Sequence, residues 1–288
     1  DGTAWLLGSG LVWHDAAGPW TRLDPPEGGT DLVQATSGDR LLVLGRSGGA
    51  PHVHYTDDHG ATWQAATGLD QLGTYQRFLS VVERAGTLYA GHRDLGLLVS
   101  ADQGASWQQR SADATGAVAI GGDGTFWMSS DQGLSVSTDQ GQTWSAVTDV
   151  TLVDRGVASP ISGAFVAPGW SAVYRFTDAG TTWDNIRSNL DDALGPDHWL
   201  TRVASLAFDD EGRLYAAVEA LDGVTARGEV RILRSADDGD TFEDVTGAGG
   251  IDRTVVDHLE QSAAGEMIAA TNQGLYRDGG TGGEVGVE

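Results

Sequence analysis

The sequence contains no cysteine and no lysine, and each absence narrows what the chain can do. Without cysteine there is no disulfide and no thiol nucleophile, and the fold is compatible with any compartment. All 17 basic residues are arginine, against 41 acidic residues, which gives a net charge of −24. That charge argues against nucleic acids and anionic membranes as partners, because both would be repelled. It indicates a solvated acidic surface, and a salt-adapted source remains an alternative.

Long apolar runs and common catalytic motifs are also missing. No stretch of about 18 or more apolar residues occurs, so we expect no membrane insertion. Neither a P-loop nor a nucleophile elbow is present, and we expect no cofactor. The chain begins at Asp1 without a methionine, which is consistent with a removed upstream segment or a longer parent chain. We expect an extracytoplasmic protein, either secreted, periplasmic or on the cell surface.

What the chain has in excess is glycine, at 42 residues, and one repeated phrase. The phrase has the form S-x-D-x-G-x-T-W and recurs at intervals of about 40 residues, which indicates an array of like units. Its copies are residues 56–63, 100–107, 137–144, 176–183 and 235–242. Each copy follows a short apolar run and ends on an aromatic residue, which predicts a hairpin turn between two strands. In such a turn the aspartate accepts backbone N–H bonds, the glycine takes a positive φ and the aromatic side chain is buried.

This phrase resembles the Asp-box, or BNR, repeat of sialidases, xyloglucan-degrading glycosidases, sortilin-type receptors and photosystem II assembly-factor propellers. All of these are β-propellers, so the resemblance implies an all-β fold: a single seven-bladed β-propeller with four-stranded antiparallel blades. The family's functions are diverse, so it implies no single activity. The hydrogen-bonding role makes the box aspartates fold-holding and not catalytic; they are Asp58, Asp102, Asp139, Asp178 and Asp237.

Two degenerate copies flank the five intact ones and bring the number of units to seven. Ala16 replaces the aspartate in the first, and Gly280 replaces it in the last. The equivalent glycines are Gly18, Gly60, Gly104, Gly141, Gly180, Gly239 and Gly282. We therefore expect one propeller domain over residues 1–288, in which the tail 284–288 is a candidate to supply a missing inner strand of the first unit.

Strand-like runs between the copies give the units a common plan. In the third unit we predict strands at 78–83, 88–90, 97–100 and from 107 onward. In the sixth we predict an inner strand at 203–208 and a second strand at 214–218, with extra length at 189–200 and 220–229.

Four arginines stand where inner strands are predicted to begin: Arg77, Arg155, Arg202 and Arg253. In a propeller these positions surround the mouth of the central channel, where four guanidinium groups would attract a carboxylate or phosphate. The assembly-factor propellers also carry a basic patch, so the resemblance implies the same. Alternatively, each arginine pairs with a neighbouring acid, such as Asp154 or Asp252, and only joins blades.

Loops between second and third strands should lie on the same face and complete a ligand-binding set. These loops supply the candidates His92, Arg93 and Trp170, and the long connector in the sixth unit adds His198 and Trp199. Neighbouring loop residues are Arg46, Asp94, Asp131, Asp197, Arg227 and Asn272. Trp170 and Trp199 would stack on sugar rings, or alternatively pack between blades.

Metal and enzyme sites have weaker support. His52 and His54 share one face of a strand, near Asp57 and His59, but no third ligand has a telling spacing, so we expect no metal. The resemblance to sialidases implies an Arg-Ile-Pro motif before the first intact box, but this stretch offers Arg22 in a different context and no such motif. Xyloglucan glycosidases use two tandem propellers, whereas this chain has the length of one.

Adjacent acids, at 191–192 and 209–210, do not by themselves give the separation that glycoside hydrolysis needs. We therefore predict a non-enzymatic binding or assembly module. Its partner would be a protein or a glycan, and anionic partners are among the candidates. The alternative is a glycoside hydrolase or sialidase-like enzyme. A third hypothesis is a receptor-type or scaffold domain, cut from a longer chain, without a small-molecule site.

Overall fold

The computed structural model is built almost entirely of antiparallel β-structure. It describes residues 4–7, 11–14, 21–23, 29–37, 40–47, 50–69, 72, 77–130, 133–147, 152, 155–225, 227–246, 251–252, 256–261, 265, 267–271 and 274–277. The chain divides into two compact units, of which the first comprises residues 1–120 and 126–149 and the second residues 121–125 and 150–288.

In the first unit, each sheet is formed by strands that are consecutive in the sequence, and consecutive strands of a sheet pair with each other. One sheet contains β1 (Ala4–Leu7), β2 (Leu11–His14) and β3 (Thr21–Leu23), and the next contains β4 (Gly29–Ala35), β5 (Leu41–Ser47), β6 (Ala50–Thr56) and β7 (Gln64–Ala65). They are followed by β8 (Phe78–Arg84), β9 (Thr87–His92), β10 (Gly96–Ser100) and β11 (Gln108–Ser111), and then by β12 (Ala117–Ile120), β13 (Phe126–Ser130), β14 (Gly133–Ser137) and β15 (Ser145–Val147). The strands predicted for the third unit correspond to β8–β11, so that prediction is confirmed.

The core of the first unit lies between these sheets, because the middle strands are apolar on both faces. Leu98 on β10 packs with Leu42 and Leu44 of the preceding sheet, whereas its neighbour Leu97 packs with Phe126 of the following sheet. Successive residues of a strand point to opposite faces, so the sequence of a strand buried on both sides is a continuous run of apolar residues.

The second unit repeats this plan with one longer sheet. It contains β16 (Val157–Ala158), β17 (Phe165–Pro168), β18 (Val173–Thr177) and β19 (Thr182–Asn185), followed by the helix α1 (Arg187–Leu194). The longer sheet contains β20 (His198–Phe208), β21 (Leu214–Asp222), β22 (Gly228–Ser235) and β23 (Glu243–Asp244), with β24 (Ile251–Asp252) also paired to β22. A further sheet contains β25 (Val256–Gln261), β26 (Met267–Thr271) and β27 (Gly274–Arg277). No helix in the described part of the chain is long and apolar enough to cross a membrane.

Two boundaries predicted in the sixth unit are wrong. Strand β20 begins at His198 and not at Val203, and it pairs with β21 as far as Asp222, with a bulge between Leu200 and Arg202. The extra residues therefore extend a long hairpin and form α1, which the sequence did not predict. Arg202 consequently lies inside a strand and not at its start.

Several predictions fall outside the described residues. These concern the degenerate copies with Ala16, Gly18, Gly280 and Gly282, the tail 284–288, and Asp131, Asp154, Arg253 and Asn272.

Candidate functional site

The five copies of the phrase are here called the repeat turns. Four of them are held by the same hydrogen-bond network. In the second turn, Ser100 Oγ donates to Asp102 Oδ1 at 2.7 Å and accepts the Gly104 N–H at 2.8 Å. Asp102 in turn accepts the N–H and the hydroxyl of Ser106, at 2.8 and 2.6 Å. The turns at Asp58, Asp139 and Asp237 repeat these contacts. The aspartates are therefore committed to the turn, as predicted, but the role of the first hydroxyl was missed.

In the four turns that share this network, the hydrogen bonds lower the pKa of the aspartate and so favour its ionised form. Hydrogen bonds led by that from the Thr62 hydroxyl lower the pKa of Asp58 from 3.8 to about 2, and those led by the Thr143 hydroxyl lower the pKa of Asp139 to about 2. Burial alone would raise the pKa of Asp102, but the hydrogen bonds from Ser106 outweigh it and the pKa is lowered. A carboxylic acid with so low a pKa holds no proton to donate near neutral pH, so these residues are unsuited to general-acid catalysis.

In four repeat turns the glycine brings the turn against a side chain from earlier in the same unit, namely Leu23, Leu42, Leu97 or Ile186. All five have a positive φ, between 79° and 96°, as the sequence predicted. A Cβ added to Gly104 would lie 2.0 Å from Leu42 Cδ2, and one added to Gly141 would lie 2.2 Å from Leu97 Cδ2. The turns are therefore contacts between sheets as well as reversals of the chain.

The fourth repeat turn departs from this pattern because Phe176 stands where the others have serine or threonine. Phe176 is fully buried and carries no hydroxyl. Within the described part of the chain, the Asp178 carboxylate accepts one long hydrogen bond, from Thr182 Oγ1 at 3.3 Å. Asp178 itself takes a φ of 51°. The aromatic residue of this turn, Trp183, is 47% exposed, whereas Trp107 is 3% exposed. The prediction of a buried aromatic residue is thus wrong for Trp183.

The predicted arginines occupy different environments. Arg77 is exposed directly before β8, and Arg155 is exposed two residues before the start of β16. Arg202 pairs with Glu219 across β20 and β21 at 3.2 Å, which is the ion-pair alternative raised for these residues. Because Arg77 belongs to the first unit and Arg155 and Arg202 to the second, their arrangement around one opening stays a prediction.

His92 and Arg93 close the β9–β10 turn beside Arg77. The His92 ring is buried, and its Nδ1 accepts the N–H groups of Asp94 at 3.1 Å and Leu95 at 3.2 Å. The Arg93 N–H donates to the Arg77 carbonyl at 3.1 Å, which brings these two exposed arginines to one end of the sheet. His92 therefore shapes the turn from within, and the surface is offered by Arg77 and Arg93.

Two tryptophans are presented to solvent by the second unit. Trp170 lies in the β17–β18 turn and is 83% exposed, so it is not packed between sheets. Trp199 lies near the start of β20 and is 55% exposed. Its six-membered ring lies against Gly223, where an added Cβ would come within 2.4 Å of Cη2. Gly223 thus fixes the indole from one side while much of the ring stays open.

Trp199 borders an open groove of about 460 Å³, here called the α1 groove. Its lining residues are Arg187, Asp191, Asp192, Gly195, Pro196, His198 and Trp199. The groove was only partly foreseen, because Arg187 was not singled out and the acids at 191–192 were considered only as a catalytic pair. The spacing of the apolar Leu190 and Leu194, one helical turn apart, is the signal that could have placed these side chains on a helix.

Buried contacts hold α1 in place and so preform the groove. Leu190 and Leu194 are buried in the core of the second unit. Arg187 donates to the Leu200 carbonyl, and Asp191 Oδ1 accepts the Leu200 N–H at 3.2 Å. Asn189 also donates to the Gly239 carbonyl of the fifth repeat turn at 2.8 Å.

A chain of polar contacts holds His198 at the groove. His198 Nε2 lies 2.9 Å from Glu229 Oε1, which also pairs with Arg231 Nε at 2.7 Å. Arg231 continues to Asp244 at 2.9 Å. The exposed Arg227 closes the adjacent β21–β22 turn, where its carbonyl accepts the Asp222 N–H. The imidazole is therefore anchored and presented at 21% exposure.

The histidine pair does not build a metal centre in the part of the chain that the structure describes. The His52 and His54 rings lie 5.0 Å apart, and burial lowers the pKa of both. No group of three or more potential metal ligands occurs among the described residues.

Comparisons with known proteins identify the fold. Residues 9–151 match the family model described as the DUF6242 beta propeller domain. No curated protein matches the chain. YCF48 bound to a D1 peptide is 16% identical, with a TM-score of 0.65 over 95% of this chain and 86% of that one. YCF48 from Cyanidioschyzon merolae has the same TM-score at 13% identity, over 94% and 89% of the two chains.

Larger proteins are similar over part of their length. The GH74 xyloglucanase from Xanthomonas campestris is 20% identical, with a TM-score of 0.64 over 96% of this chain and 50% of that one. The extracellular domain of the putative one component system BT4673 from B. thetaiotaomicron is 14% identical, with a TM-score of 0.61 over 88% and 33%. The present chain thus spans about a third of the BT4673 domain and half of the xyloglucanase. At these identities the likeness shows a β-propeller fold and nothing further.

Proposed function

We propose that the protein is a non-enzymatic binding or assembly module that recognises a protein or glycan partner through the loop ends of its sheets. The observation that carries this proposal is the preformed α1 groove beside the half-exposed Trp199, with the exposed Trp170 in the preceding sheet. Large aromatic side chains held open by rigid surroundings are typical of recognition surfaces, because they bury much apolar area at little entropic cost.

The proposed binding face follows from the topology. Trp170, Trp199 and Arg227 lie at the end of their sheets where the first strand begins and the second joins the third. Arg77 and Arg155 lie at the corresponding end of their own sheets. In a β-propeller those ends share one face, and we propose that Arg93, Arg202, Arg253 and His198 also belong to it, with His92 supporting the Arg93 turn. Anionic groups of a partner would meet the arginines.

The known structures give this proposal some support. YCF48 was solved with a bound peptide, and the BT4673 structure is of an extracellular domain. By analogy we propose a protein partner before a glycan, and an extracytoplasmic location. The analogy rests on the fold alone, so no binding residue of those proteins is assigned to this chain.

We also propose that the repeat turns are Asp-boxes and that residues 1–288 form one domain of seven blades. The recurrence of four-stranded sheets joined through these turns supports the proposal. An experimental structure with six or eight blades, or with two domains that have separate axes, would contradict it.

Glycoside hydrolysis is the second candidate, because the α1 groove holds two acids beside a tryptophan and a xyloglucanase shares the fold. The contacts of these acids weigh against it. Asp191 is held by Arg187 at 3.5 Å and by the Leu200 N–H, and Asp192 follows it directly on the same helix. Two carboxyl groups that flank a scissile bond would have to face each other across the groove.

A single screen separates the two functions. The purified chain is tested against xyloglucan oligosaccharides, sialosides and a peptide panel, for binding and for product release. We expect binding without product, and loss of binding in the double variant Trp170→Ala, Trp199→Ala at an unchanged melting temperature. Product release would favour the glycosidase, and binding that survives both substitutions would place the partner elsewhere.

A further inference from the structure

One arginine and two aspartates line the α1 groove, so its carboxylates outnumber its guanidinium groups. Arg187 and Asp191 lie 3.5 Å apart and offset each other. The remaining lining acid, Asp192, is exposed, and within the described part of the chain its carboxylate has no hydrogen bond or ion pair. It stands in the last turn of α1, where the helix dipole is negative. The groove therefore disfavours an anionic ligand and favours a cationic one.

Trp199 adds an aromatic surface suited to a cation. The ring is fixed on one side by Gly223 and is 55% exposed. A guanidinium or ammonium group above an indole face is attracted by the negative potential of the ring. A guanidinium fits better than an ammonium, because its planar group stacks on the ring and can still reach a carboxylate.

We propose that the α1 groove binds an arginine side chain of a basic protein segment, with the guanidinium on the Trp199 ring and facing Asp192. This assignment rests on the proposed binding function and names the chemistry of the partner. The charge of the whole chain, −24, is complementary to such a segment and would accelerate its encounter with the groove. A second arginine or lysine of the segment would find other surface acids, whereas the groove selects one side chain.

The test compares two peptides of equal shape and different charge. One carries arginines spaced by glycine and serine, and the other carries citrulline in place of every arginine. Binding is measured by calorimetry at an ionic strength of about 0.15 M, where diffuse attraction is screened. We expect the arginine peptide to bind at least about tenfold more tightly than the citrulline peptide, since only arginine offers both the cation–π and the ionic contact.

Variants then localise the interaction. Trp199→Ala should weaken binding of the arginine peptide about fivefold or more, whereas Trp199→Phe should keep most of it, because a ring face remains. Asp192→Asn should weaken binding about threefold. Its matched control is Asp210→Asn, which removes the same charge from an exposed site in the β20–β21 turn, at the other end of the sheet. Melting temperatures of all four variants verify that they are folded.

Four results would overturn the assignment. Equal affinity for the citrulline peptide would remove the role of charge. An equal loss in Asp210→Asn and Asp192→Asn would reduce the effect to the acidic surface as a whole. The chain could instead bind a neutral oligosaccharide through Trp199 and fail to bind the arginine peptide. That result would support the proposed binding function but show that its ligand is a glycan. If neither peptides nor glycans bind, the proposed function falls with it.

Discussion

At the scale of single residues, the repeat turns show how one sequence phrase gives two structures. The aspartate and glycine roles were predictable, because an acceptor and a positive φ are needed in any such turn. The first hydroxyl was not recognised, although it organises four of the turns. Phe176 in the fourth turn belongs to the core instead, where it packs near Phe165. Core packing and turn hydrogen bonding compete for that position, and a local pattern does not reveal which prevails.

The difference between the turns gives a paired prediction. Asp102→Ala should lower the free energy of unfolding by about 1 kcal/mol, because the N–H and hydroxyl of Ser106 and the Ser100 hydroxyl lose their partner. Asp178→Ala should cost clearly less, because that carboxylate accepts one long bond. Denaturant unfolding of both variants measures the difference. Equal losses would show that the hydrogen-bond network is not what the aspartates contribute.

The low pKa of Asp139 predicts a stability change in acid. Its hydrogen bonds, led by that from the Thr143 hydroxyl, lower the pKa from 3.8 to about 2 in the folded protein. A carboxyl whose pKa is depressed by folding stabilises the protein above its unfolded pKa, and that contribution is lost as the pH falls through the folded pKa. The advantage in melting temperature of the wild type over Asp139→Asn should therefore shrink between about pH 4 and about pH 2. A difference that stays constant over that range would contradict the assignment.

At the scale of elements, the sequence predicted strands more reliably than it predicted α1. Continuous apolar runs identified β9 and β10 because both strands are buried on both faces, whereas the exposed β11 followed from the position of the repeated phrase. The helix is only eight residues long, too short to be stable by its own propensity, so it depends on contacts with β20 and the fifth repeat turn. Such contacts join distant parts of the sequence, which is why the groove that α1 lines could not be predicted in full.

This dependence predicts a large effect of one side chain on α1. Leu190 is fully buried, so Leu190→Ala should cost about 2–4 kcal/mol through lost burial and a residual cavity. Ser188→Ala, on the exposed side of the same helix, should change stability by less than about 0.5 kcal/mol. Chemical denaturation provides both values. A loss for Leu190→Ala as small as that for Ser188→Ala would mean that α1 is not anchored by its apolar side.

At the scale of the whole molecule, the repeat predicted the β-propeller type of fold, and the comparisons agree. The exposed residues of the proposed binding face were identified from the sequence in part. Trp170, His198 and Trp199 were identified from their loop positions, while Arg202 proved to be paired within a sheet. The exposure of a side chain depends on which neighbouring residues pack over it. The sequence pattern of a propeller predicts the strands, but it does not predict these neighbours.

Hydrogen–deuterium exchange with a bound ligand tests the location of the proposed binding face most directly. The chain is mixed with whichever peptide or oligosaccharide of the screen binds it, and amide protection is compared with the free protein. We predict added protection at residues 169–172, 195–199 and 223–225, where the two exposed tryptophans and the α1 groove lie. Protection confined to the repeat turns, with those three segments unchanged, would contradict a partner surface at these sheet ends.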